Sequence, residues 1–198
     1  MRIGIFGGTF DPPHIGHRKY ACEFIDRLAL DKLIVIPTCI PPHKEYDGVS
    51  GSDRLAMTKL LFTDIDKIDV SDMEIRRKGK SYTCDTVRAL SEKYFGDELI
   101  FLMGSDMLLS FHTWREPLTI LKYVKICAVS RESNITKEQL SEYVDRYFKE
   151  KADRFIICDF LPVEVSSTDV RISMENNQSS KFITAEVLNY IKEKGLYA

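Results

Sequence analysis

Apolar, largely β-branched runs recur at Ile3 to Phe6, Leu33 to Ile36, Leu99 to Met103, Val124 to Val129 and Phe155 to Cys158. Unbroken runs of this kind, rather than strict alternation, mark strands covered on both faces. Between several of them polar and apolar positions repeat at helical spacing: Gly16 to Leu28, Asp53 to Phe62, Thr83 to Tyr94 and Thr136 to Lys149, the last opened by a capping-box pair, Thr136 and Gln139. Strands alternating with helices predict a parallel sheet. The fold class is therefore read as α/β, a Rossmann-like doubly wound parallel sheet with helices on both faces. Ile68 to Glu74 reads as one more strand despite its charges. Thr184 to Lys194 makes a closing helix with Val187, Leu188 and Ile191 on one face and Gly195 as its stop, within a small C-terminal helical portion covering about 166–198.

At 198 residues, with 44% hydrophobic and 29% charged residues, the chain suits a single domain over 1–198 with a proper core. Met1-Arg2-Ile3-Gly4-Ile5 enters a strand at once and no run approaches a membrane span, which predicts a cytoplasmic protein with no membrane partner. A net charge of −2 lacks the footprint of a nucleic-acid wrapper, so any anionic ligand is expected to be small and locally held. Cys22, Cys39, Cys84, Cys127 and Cys158 are odd in number, scattered and without a C-x-x-C pair; they read as reduced thiols rather than metal ligands.

In open sheets, ligands sit beyond the carboxyl ends of the strands, and the chain's unusual loops fall there. Gly7-Gly8-Thr9-Phe10-Asp11-Pro12-Pro13-His14-Ile15-Gly16-His17 joins the first strand to a helix. Its glycines let backbone approach an anion, Thr9 adds a hydroxyl, and His14 and His17 stand at the positive end of the helix with Gly16 leaving room between them. Pro37 to Lys44 is a proline-stiffened loop that holds His43 and Lys44 at the same rim, or else a stiff surface connection. Glu74 to Thr83 is basic and ends at a helix start whose amides could hold a carboxylate. Gly104 and Asp106 follow a strand and can face a base; Trp114 can stack on a flat ring or sit in the core. Ser166, Ser167, Thr168 and Arg171 open a further helix, as an anion cradle or as a plain cap.

The motif G-G-T-F-D-P-x-H-x-G-H at Gly7 to His17 is similar to the first motif of the nucleotidyltransferase superfamily that shares H-x-G-H with class I aminoacyl-tRNA synthetases. P-x-x-x-P-P-H-K at Pro37 to Lys44, E-x-x-R-x-G-x-S-Y-T at Glu74 to Thr83, G-S-D at Gly104 to Asp106 with Trp114, and S-S-T-x-V-R at Ser166 to Arg171 resemble the bacterial nicotinate mononucleotide adenylyltransferase family. Ala185, where many relatives carry proline, and Ser179-Ser180 depart from the pattern. The resemblance implies transfer of AMP from ATP to nicotinate mononucleotide, giving nicotinate adenine dinucleotide and pyrophosphate.

It further implies catalytic His14, His17, Lys44 and Arg171, with ATP met by Gly7, Gly8, Thr9, Phe10, Gly16, Gly104, Asp106, Ser166, Ser167 and Thr168. The mononucleotide would be met by His43, Lys44, Tyr82, Thr83 and Trp114, and by Arg131 unless that residue is merely a solvated loop arginine. Mg2+ is expected to ride on the ATP phosphates without a protein ligand. A phosphopantetheine-type or other small-substrate nucleotidyltransferase, and a non-catalytic nucleotide sensor, are the alternative readings; the Pro37 to Lys44 loop argues against the first and the intact cationic set against the second.

Overall fold

The computed structural model describes residues 1–41, 48–129, 135–158, 165–175 and 181–197. Six strands, β1 (Arg2–Gly8), β2 (Lys32–Pro37), β3 (Ile68–Val70), β4 (Glu98–Gly104), β5 (Lys125–Val129) and β6 (Phe155–Cys158), form one all-parallel sheet in the order β3-β2-β1-β4-β5-β6. The order reverses between β1 and β4, which opens a crevice beyond their carboxyl ends.

Side chains alternate across each strand, so successive residues feed two separate cores. Phe6, Leu33, Val35, Ile100, Leu102 and Cys127 face one layer; it is built from α1 (Ile15–Arg27), α2 (Gly51–Leu61), α8 (Ser167–Glu175) and α9 (Ala185–Lys194). Ile3, Ile5, Ile34, Ile36, Phe101 and Ile126 face the other, where α4 (Thr83–Lys93), α5 (Ser105–Ser110), α6 (Pro117–Tyr123) and α7 (Lys137–Phe148) lie. The doubly wound reading holds. In α1 the buried residues Tyr20, Ala21, Phe24 and Ile25 recur at helical spacing, and each large one contributes about 1.5–3 kcal/mol by leaving water.

Thr136 caps α7 with Gln139 as the sequence predicts: the Gln139 amide donates to the Thr136 hydroxyl at 3.3 Å and the Thr136 amide to Gln139 Oε1 at 2.9 Å. Gly195, at φ 60°, ends α9 in the left-handed conformation that glycine enters without a Cβ clash. Two expectations need correction. Ile68 to Glu74 is not one strand, because β3 stops at Val70 and Met73–Arg77 is a short helix, α3, that carries Glu74 into the interior. Val124 precedes β5 as the cap of α6 rather than belonging to the strand. The chain between Gly104 and Val124 holds α5, a 3-10 turn (Phe111–Thr113) and α6, all too short for a hydrophobic period to register.

Candidate active site

A cavity of about 970 Å³ opens at the switch point, walled by the loop after β1, the start of α4, the α5 to α6 region and the start of α8. Two hydrogen bonds join residues more than 150 positions apart at its floor. Arg171 Nη1 donates to the Asp11 carbonyl, and Ser167 Oγ donates to the Pro12 carbonyl at 3.0 Å. Tyr197 adds a third link by donating its hydroxyl to Asp11 Oδ1. The two helix starts that the sequence places at opposite ends of the chain therefore face one space.

His17 and Arg171 both line the cavity, with Thr9, Ser167 and Thr168. His17 Nδ1 accepts the His14 backbone N–H at 3.2 Å. Its acceptor role leaves the proton of the neutral ring on Nε2, which is then the donor His17 presents. His14 is only 4% exposed and its ring lies tilted by 38° against His17 with centroids 3.8 Å apart; it backs the cavity wall rather than forming it. Phe10, fully buried at φ 52°, holds the other side of His17 at 4.8 Å and packs edge-on against Phe6.

The glycines divide by role. A Cβ on Gly8 would lie 3.1 Å from the Phe10 ring, whereas one on Gly7 would meet Phe101 at an ordinary 3.7 Å. At Gly16 a Cβ would fall 2.8 Å from Val165 and 2.9 Å from the His14 ring, so this glycine gives His14 its place and lies outside the cavity wall. Ser166 is likewise off the wall. It caps α8 reciprocally with Asp169: its hydroxyl donates to Asp169 Oδ2 at 2.6 Å, and the Asp169 amide returns a bond to Ser166 Oγ at 3.1 Å. That contact holds the Asp169 carboxyl below the usual carboxylate range. The two amides nearest the start of α1 are also engaged within the protein, Ile15 N–H on the Phe182 carbonyl at 2.9 Å and His14 N–H on His17. Gly104 caps α5 just outside the wall, while Asp106 reaches it.

Elsewhere on the wall, Tyr82 and Thr83 line the cavity at the start of α4, and Trp114 lines it too. Trp114 packs its ring edge-on against Phe111 at 5.4 Å and Phe101 at 6.2 Å, and it also borders the cavity. His43, Lys44 and Arg131 lie outside the described residues, although Pro41, which precedes the first two, lines the cavity.

Sequence reading missed three charged residues here. Arg54, on α2 and 0% exposed, donates to the carbonyls of Thr9 at 2.7 Å, Thr38 at 2.6 Å, Cys39 at 2.8 Å and Val49 at 3.0 Å. Five donors in a rigid fork suit one guanidinium to pin several segments at once. A signal existed, because Arg54 shares a helical stripe with the buried Met57, Thr58 and Leu61. Glu74, 8% exposed, accepts from the Thr86 hydroxyl at 2.6 Å; burial pushes its carboxyl above the usual range, with hydrogen bonds from Thr86 and Ser81 and the Arg77 charge opposing that. The Cys39 amide donates to Ser81 Oγ at 3.1 Å, so a polar chain runs from Thr9 through Arg54, Cys39 and Ser81 to Glu74. Arg115 lies over the Tyr82 ring at 4.6 Å and brings positive charge to the α4 end.

A nucleotide-sized crevice at the switch point of a parallel sheet, with a histidine pair at one helix start and an arginine at another, defines a nucleotidyl-transfer class of site. The cytidylyltransferase-like family model matches residues 5–172. A relative from Aquifex aeolicus named "Probable nicotinate-nucleotide adenylyltransferase" is 43% identical over 171 residues, covering 85% of this chain and 100% of its own. One of the same name from Exiguobacterium sibiricum is 36% identical over 100% of both chains. The solved structure of Plasmodium falciparum nicotinic acid mononucleotide adenylyltransferase complexed with NaAD matches with a TM-score of 0.81 at 18% identity, covering 99% of this chain and 97% of that one, which establishes the shared fold. The chain belongs to the nicotinate-nucleotide adenylyltransferase family, within the cytidylyltransferase-like proteins.

Proposed function

We propose that the protein transfers AMP from ATP to nicotinate mononucleotide in NAD biosynthesis, releasing pyrophosphate. One observation carries this reading: Arg171 and Ser167 are bonded to the Asp11-Pro12 backbone, so that the α8 start and His17 line one cavity. The attacking group is a phosphate oxygen of the mononucleotide, already anionic. It forms a bond to the α-phosphorus as the bond from that phosphorus to the bridging oxygen breaks, and no protein base is needed to remove a proton. The barrier is the approach of two anions and the charge gathering on pyrophosphate. His17 Nε2–H, Arg171 and the hydroxyls of Thr9, Ser167 and Thr168 answer it by donating where charge grows.

The Tyr82 and Thr83 amides receive the pyridine carboxylate and Trp114 stacks on the ring. His43 and Lys44, with Arg131, are assigned to the mononucleotide phosphate. Such a pocket prefers the acid over the carboxamide, which forfeits charge-assisted hydrogen bonds. Among the described residues no group of three or more His, Cys, Asp or Glu side chains could hold a metal. We propose that Mg2+ would ride on phosphate oxygens and water, where it would neutralise charge on the nucleotide. We also propose that the reaction takes place in the cytoplasm; among the described residues, no helix is long and apolar enough to cross a membrane.

Mixing the protein with ATP, Mg2+ and either nicotinate or nicotinamide mononucleotide, then identifying products by mass, tests reaction and selectivity together. Dinucleotide and pyrophosphate should form, and faster from the acid. Equal use of both mononucleotides would overturn the carboxylate assignment, and ATP binding without pyrophosphate release in the presence of either would overturn the reaction.

A further inference from the structure

Cys127 and Cys158 are 31 positions apart in sequence, yet their sulfurs lie 3.2 Å apart on neighbouring strands. The register explains it. Cys127 pairs with Ile156, so Cys158, two residues on, returns to the same face of the sheet. Cys127 is buried in the core, whereas Cys158 is half-buried and is the last residue of β6, a strand with a neighbour on one side only. Closing the gap to the roughly 2.05 Å of a disulfide needs about 1.2 Å of movement, which the end of an edge strand can supply.

We propose that Cys127 and Cys158 form a peroxide-reactive dithiol site, with Cys158 the attacking sulfur and Cys127 the resolving one. The Cys158 thiolate attacks one oxygen of hydrogen peroxide. The O–O bond breaks, the departing hydroxide leaves as water after taking up a proton, and Cys158 becomes a sulfenic acid. Cys127 sulfur then attacks Cys158 sulfur; the S–S bond forms, the S–O bond breaks, and the Cys127 proton leaves with the hydroxyl as a second water. Two thiols and one peroxide thus give one disulfide and two waters. The surroundings favour these roles: a Cys158 thiolate can accept the S–H of Cys127 at 3.2 Å, and this contact together with the charges of Arg27 and Lys137 lowers the Cys158 thiol from its ordinary range against the opposing effect of burial, while the same contact and burial raise Cys127. Cys22 and Cys84 are raised by burial and serve as internal references.

The intact protein is treated with hydrogen peroxide, its remaining thiols are alkylated, and its peptides are weighed. We expect an intrachain Cys127–Cys158 link ahead of any change at Cys22, Cys39 or Cys84, reversed by dithiothreitol. Without peroxide at pH 7, iodoacetamide should label Cys158 about fivefold or more faster than Cys22, because thiolate is the reactive form. In C127S, with thermal melting confirming the fold, dimedone should capture a sulfenic acid at Cys158; in C158S the peroxide reaction should disappear. Links to other cysteines or between two chains, Cys158 labelling no faster than Cys22, or a C158S variant that oxidises at Cys127 as fast as wild type would each overturn the proposal.

Discussion

The two ends of the cavity are built on opposite plans. At the phosphate end, donors come from segments far apart in sequence, and Ser166 and Thr168 at the start of α8 are exposed. Their placement depends on a few contacts to the Asp11-Pro12 backbone. At the pyridine end, Glu74, Ser81, Tyr82 and Thr83 supply a stretch of wall from one short segment, and a buried carboxyl rather than a distant helix fixes it. The difference matches the ligand each end is proposed to take: a triphosphate whose charge moves during reaction needs cationic donors around it, whereas a flat ring with one fixed charge needs a rigid slot. Arg54 is the joint, since it grips the loop after β1 and the loop after β2 together.

That joint should be the most sensitive point. Arg54→Met strands four carbonyls in the interior and should cost on the order of 3 kcal/mol or more. At roughly 2–4 °C per kcal/mol for a domain of this size, a fall in Tm of at least about 6 °C is expected. A variant melting with the wild type would mean that the two ends are held independently. Next comes His17→Ala, which should lower kcat by a factor on the order of 100 while Tm stays near wild type, as typical for loss of one transition-state donor. Steady-state kinetics with saturating mononucleotide checks it, and unchanged turnover would remove His17 from the chemistry.

Trp114→Ala should act on the other end, raising KM for the mononucleotide by about two- to tenfold with KM for ATP unmoved, from the usual worth of an aromatic stack. A change confined to ATP would reverse the assignment of the ends. The smallest expected effect belongs to Glu74→Gln. Because burial raises the folded-state pKa of Glu74, its contribution is fully present below the ordinary carboxyl value of 4.5 and is lost as pH rises through the raised one. The variant should therefore escape that loss and gain about 2 °C or so in Tm relative to wild type between pH 5 and pH 8, if the difference is near 1 kcal/mol. Parallel Tm-against-pH curves for the two proteins would show that Glu74 does not titrate differently on folding.

The same contrast governs what could be read from the chain alone. The elements with long apolar runs or helical periods, β1, α1, α7 and α9, were legible to within a residue or two, and so was the convergence of His17 with Arg171. Glu74 was not, because a lone charge in a basic stretch looks solvated until the fold closes over it, and Arg54 gave only the weak signal of sharing a helical stripe with Met57, Thr58 and Leu61. Roles within motifs were also hidden. Gly16 and Ser166 belong to the same short motifs as the cavity residues, yet one makes room for His14 and the other caps α8. Spacing in sequence shows that such residues are near one another, not which of them faces the cavity.

Arg54 grips main-chain oxygens at Thr9, Thr38, Cys39 and Val49. The side chains at Thr38, Cys39 and Val49 are thus left open to replacement as far as this grip is concerned, and the loops can drift in sequence, or be redesigned to admit a different ring, while keeping their shape.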